Sequence, residues 1–125
     1  MAVVLHEIVD SDFDYVLKAT TSGTNSAASL LDVSAAEGAA TDPRVSIVGV
    51  AWSLAAQTDI LWDATSNVVA LSLNGSGKMG FGDGMPAIPN NAGSGVTGDV
   101  LVTNGTSVGT LVIKFSKVSG WDDIT

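Results

Sequence analysis

Apolar and polar positions alternate with period two along much of the chain, the spacing of a strand with one buried face. Leu111, Ile113 and Phe115 alternate with Val112, Lys114 and Ser116. Phe13, Tyr15, Leu17 and Ala19 alternate in the same way with Asp14, Val16, Lys18 and Thr20. Val48, Val50, Trp52 and Leu54 are separated by Gly49, Ala51 and Ser53, small enough for the second face to be packed closely too. Val45 and Ile47 keep the opposite parity, which predicts a bulge near Val48.

Turn chemistry divides these runs. Asp42-Pro43 precedes the Val45 strand, where a proline loses no central ladder bond. Asn104-Gly105 separates Val100–Thr103 from Val108–Ser116 and reads as a hairpin dipeptide. Asn74-Gly75 follows Val69–Leu73 and reads the same way. Ala28–Val33 reads as a short strand. Ser34-Ala35-Ala36-Glu37 has the form of a capping box, with Gly38 placed to end one helical turn. Six to eight short strands with frequent turns predict an all-β chain. The expected architecture is a single antiparallel β-sandwich, jelly-roll-like, over residues 1–125, with at most one short helical turn.

Composition narrows the function. Charged residues make up 14% of the chain and hydrophobic ones 46%, so disorder is disfavoured. Thirteen acids against five bases give a net charge of −8, which disfavours non-specific nucleic-acid binding. Seven acids and one base fall in residues 1–42, six acids and four bases in residues 43–125. Without cysteine there is no disulfide framework, thiolate metal site or cysteine nucleophile. Met1–Asp14 lacks the basic region of a signal peptide, and Val45–Ala56 is too short to span a membrane, so synthesis in the cytosol and no membrane partner are expected.

The candidate chemistry is sparse. Gly75-Ser76-Gly77-Lys78-Met79-Gly80 fits G-x-G-x-x-G. The residues that follow, Phe81 to Pro86, cannot open the helix that a pyrophosphate site needs. Asp10, Asp12 and Asp14 alternate as carboxylates, but the EF-hand spacing fails at Tyr15 and Thr21. A solvated acidic turn or a looser calcium site remains. His6, the sole histidine, lacks the companions of a zinc site or a nucleophile elbow. Asp59 and Asp63 resemble a glycosidase pair, but on a strand they stand about 13 Å apart, too far for that chemistry. No cofactor is implied, and no catalytic residue is assigned.

Contact between proteins is the better-supported use of the chain. Asn74–Asp99 holds eight of the 14 glycines, together with Pro86 and Pro89. Such a loop suits close backbone approach to another surface. Met85, Pro86, Ile88, Asn90 and Asn91 are its expected contact residues, joined by Trp62 and Trp121 as large aromatics that serve a core, an interface or a sugar platform. Trp52 is expected in the core.

Asp59–Thr65, Val69–Gly77, Ile88–Leu101 and Leu111–Phe115 together resemble a recurring pattern in small virion proteins of tailed bacteriophages. The likeness runs from about Val45 to Phe115 and includes no catalytic motif. It implies a structural component of the particle, of the kind that decorates or cements the capsid exterior. The implied partners are the major capsid protein and further copies of the chain, a trimer being favoured. The alternative is a tail- or fibre-associated module binding a host glycan through Trp62 or Trp121.

Overall fold

The computed structural model describes residues 2–11, 13–36, 38–80, 86–105 and 109–121. Among these residues, seven strands form one hydrogen-bonded antiparallel sheet: β1 (Ala2–Asp10), β2 (Asp14–Ser22), β3 (Asn25–Leu31), β4 (Ala39–Trp62), β5 (Val68–Met79), β6 (Val100–Asn104) and β7 (Gly109–Trp121). The order is β1-β2-β7-β4-β6-β3, with β5 on the other side of β4. The chain is all-β, as expected. The described strands belong to one curled sheet, with a first leaf of β1, β2, β7, the Ala39–Leu54 part of β4 and the end of β5, and a second leaf of β3, β6, the Thr58–Trp62 part of β4 and the start of β5.

The curl originates in β4. A straight strand of 24 residues would run to about 80 Å, far longer than a domain of this size is wide. Instead β4 pairs with β7 from Ala39 to Leu54, then with β6 from Thr58 to Trp62. The handover falls at Ala55–Gln57, where the β4–β5 register also shifts between Leu54–Gly75 and Thr58–Leu73. A strand that changes partner at a bend is how one sheet turns a corner. A second irregularity, between Ile47 and Gly49, is the bulge anticipated at Val48.

Two expected hairpins take other forms. Asn74-Gly75 lies inside β5 at the register shift, with Gly75 at φ +69°. Asn104-Gly105 does not join paired strands, since β6 and β7 follow each other along one edge of β4. Asn104 is buried there: its Oδ1 accepts from Asn25 Nδ2 at 2.8 Å, and its amide donates to Gly23 O and Gly105 O. The helical turn is a 3₁₀ turn, η1 (Val33–Ala35). Its cap is Asp32, two residues earlier than the sequence implied, accepting from Ser34 N at 3.1 Å. Among the described residues no helix is long and apolar enough to cross a membrane.

The inward faces of both leaves form one core. Strand β7 alternates cleanly, with Leu111, Ile113 and Phe115 fully buried. Leu17, Ile47, Val50, Ile60, Trp62 and Val100 complete its centre. Strand β1 ends the sheet order. It is paired only with β2 among the described strands, while β3 comes near without joining it in the ladder.

Candidate functional site

Trp62 and Trp121, offered by the sequence as contact residues with a core role left open, are interior. Trp62 is wholly buried between Val68 and Val100, and its Nε1 has no partner among the described residues. Trp121 is 3% exposed and donates from Nε1 to Arg44 O at 2.8 Å. Both share parity with the buried positions of their strands, Trp62 with Ile60 and Trp121 with Leu111 to Lys117. That parity is the signal that could have placed them inside. Trp52 packs partly buried against the core, as expected, and donates from Nε1 to Asn74 O at 3.0 Å.

The Gly75–Gly80 motif lies on β5 and at its end, not on a phosphate loop. Gly77 sits under the Trp52 ring, where an added Cβ would stand 2.9 Å from Cζ2. That glycine is explained by packing against an indole.

The loop beyond β5 is shorter than the sequence implied, because β5 continues to Met79. Met85 lies outside the described residues. Pro86 and Asn91 are exposed. Ile88 is half-buried and exchanges two backbone hydrogen bonds with Ile47, at 2.8 and 2.9 Å, so it is part of the sheet margin. Asn90 Oδ1 accepts from Ala92 N at 3.0 Å, and its Nδ2 is buried with no partner among the described residues. Asn90 also lines a shallow depression with Arg44, Ser46, Val96 and Val118. The Arg44 guanidinium donates to the carbonyls of Pro43, Val96 and Thr97, tying the loop to β4. The loop therefore brings Ile88 and Asn90 against the first part of β4, while its later residues hold the chain just past Trp62, Asp63 N donating to Asp99 O at 3.0 Å and Thr65 N to Ser94 O at 3.1 Å.

The carboxylates are engaged in holding backbone and loops. Asp59 Oδ1 accepts from Ser72 Oγ at 2.7 Å and Gln57 Nε2 at 3.1 Å. Asp63 Oδ2 accepts from Thr97 Oγ1 at 2.8 Å. Asp99 Oδ1 accepts from Val33 N at 3.0 Å. Burial pushes the Asp99 carboxyl above its ordinary value, with Asp32 and Asp63 adding to the rise and the bonds from Val33 and Thr97 opposing it. Asp10 pairs with Lys117, and Asp14 N donates to Ser11 Oγ. Asp12 lies outside the described residues. No group of metal-ligating side chains forms among the described residues. His6 is exposed on β1 opposite Lys18.

Two features were not singled out in the sequence. Lys117 takes an inward position of β7 and is 3% exposed. Strand β1 leaves Val4, Leu5, Ile8 and Val9 in solvent, Val4 at 64% exposure, and Phe13 beyond it at 58%. Although Val3 packs partly against the core, the strand's other large apolar side chains stay uncovered, so the burial expected of an alternating strand does not apply to it. Comparison with protein-family models, curated proteins and solved structures found no match for this chain.

Proposed function

We propose that the protein is a virion structural protein, a capsid decoration or cement protein on the exterior of a tailed-phage head. The observation that carries this reading is β1. A strand that exposes Val4, Leu5, Ile8 and Val9, and that pairs only with β2 among the described strands, invites a further chain, by strand addition or by packing on its side chains. Soluble monomers rarely leave such a patch uncovered. The resemblance between Val45 and Phe115 supplies the setting. In that role the protein works by association and not by catalysis: many identical copies, a trimer about a local symmetry axis being favoured, bridge neighbouring major capsid proteins.

The glycan-binding alternative is weakened by its own residues. A sugar platform needs an exposed aromatic face, and Trp62 and Trp121 are interior.

The test is to locate the protein in an electron-microscopy map of the particle and to heat particles that lack it. Density on the head exterior and earlier loss of packaged DNA are expected. Density in the tail, or unchanged heat resistance, overturns the reading.

A further inference from the structure

The registers of the first leaf line up its outward residues across five strands. One row runs His6, Lys18, Val112, Ala51 and Lys78 over β1, β2, β7, β4 and β5. The next row holds Val9, Val16 and Lys114. With strands about 4.8 Å apart, the first row spans roughly 19 Å. Lys18 and Lys114 are diagonal neighbours, about 7–8 Å apart at the backbone. Apart from Gly49, every residue named in these rows or beside them is exposed or half-buried.

The charge on this face opposes that of the chain. Of the five bases, Lys117 is buried against Asp10 and Arg44 is spent on carbonyls. The other three, Lys18, Lys78 and Lys114, all lie here with the sole histidine. Among the described residues none of the three meets a carboxylate within salt-bridge distance. Among the described residues of β1, β2, β5 and β7 the one acid with outward parity is Asp14, at the corner opposite Ser116, while the exposed Asp42 lies on β4 nine residues before Ala51. Glu7 and Asp10 take the inward parity of β1, and Asp32, Asp59, Asp63 and Asp99 belong to the second leaf and its loops. A chain of net charge −8 thus turns a lysine-bearing face outward, interleaved with Val9, Val16 and Val112 and continuous with the exposed Val4 of β1.

We propose that this outer face of β1-β2-β7-β4-β5 is the docking surface, and that its occupant is an acidic, partly apolar surface of another protein. Complementary charge would steer and orient that contact while the valines supply apolar burial. Nucleic acid fits the face less well, since it offers three lysines, no arginine and no aromatic for base stacking. The identity of the partner as a capsid protein rests on the reading above; the face itself does not.

The experiment is an NMR titration of the full chain at low salt with a short synthetic peptide of alternating Glu and Val, run beside an oligothymidylate. The peptide is expected to shift amides of Lys18, Lys114, Ala51 and Lys78. The triple variant Lys18→Gln, Lys78→Gln, Lys114→Gln should bind about tenfold or more weakly, while the Lys→Arg triple retains binding. Unchanged circular dichroism in both triples establishes that the fold is intact. Shifts elsewhere, equal binding by the Gln triple, or tighter binding of the oligonucleotide overturns the proposal. Phage heads that bind wild type and the Gln triple alike overturn this face and leave the assembly reading standing. Heads that bind neither overturn the assembly reading, and the peptide titration then decides on the face.

Discussion

Lys117 Nζ lies 2.6 Å from Asp10 Oδ1, with the lysine side chain wholly buried and the aspartate 10% exposed. The same ammonium donates to Ser11 O at 2.6 Å and stands 4.6 Å from the centre of the Trp121 ring. It joins the end of β1 to the last turn of the β7 ladder. An interior ammonium is costly unless its protons are satisfied. Here a carboxylate, a carbonyl and an aromatic face do so together.

Removing one partner should therefore cost more than removing both. Asp10→Ala is expected to destabilise by about 3–5 kcal/mol, because it leaves the ammonium buried with reduced compensation. Asp10→Ala combined with Lys117→Met should recover part of that loss, since methionine fills similar volume without a charge. Urea unfolding of the single and double variants measures the coupling. Additive losses would show that the pair is not a unit.

Phe115 is fully buried and meets Tyr15 with ring centres 6.5 Å apart. It sits between Tyr15 on β2 and Ile47 on β4 in the ladder. Phe115→Ala should cost about 3–5 kcal/mol through lost burial and the cavity left behind. Phe115→Leu should cost clearly less, because it keeps most of the volume. Chemical denaturation of both variants tests the ranking.

What the sequence made legible was local. The alternation of β7, the parity of β2 from Tyr15 to Ala19 and the Val48 bulge all follow from period-two patterning, because one face is buried and the other is not. The single strand β4 was not legible, since Ala55-Ala56-Gln57 breaks the alternation and reads as an ending. Only the pairing partners show that the strand bends and continues. Asn104-Gly105 misleads for a related reason: its amide braces a corner instead of closing a hairpin. The contact surface was the least legible part. Lys18, Lys78 and Lys114 are far apart in the chain, and only the cross-strand register brings them to one face. Lys117 hid because lysine ordinarily reads as surface, and its partner is 107 residues away.

Gly98 and Gly38 separate two costs of adding a methyl group. Both have positive φ, +89° and +80°. A Cβ at Gly38 would meet nothing within 4 Å, whereas at Gly98 it would collide with the Pro43 carbonyl oxygen and stand 3.1 Å from Val33 Cγ2. Gly38→Ala should cost about 1 kcal/mol from backbone strain alone. Gly98→Ala should cost at least twice as much, because backbone must move where the loop meets β4. Thermal unfolding of the two variants would give equal losses if packing at Gly98 were unimportant.

Asp99 gives the protein a pH dependence of defined sign. Burial raises its folded-state value above the ordinary 3.8, so between these two values the folded chain holds more proton than the unfolded chain. The contribution of this residue to stability is then greatest below 3.8 and declines as pH rises through the folded-state value. Asp99→Asn keeps an oxygen to accept from Val33 N but carries no charge to desolvate. The variant should melt higher than wild type at neutral pH, and the two melting curves should converge as the pH falls through that window. A gap that stays constant from neutral to acid pH would mean that the charge of Asp99 carries no desolvation cost. A variant that melts lower at neutral pH would mean that the carboxylate's bonds to Val33 and Thr97, with their charge, outweigh the burial that opposes them.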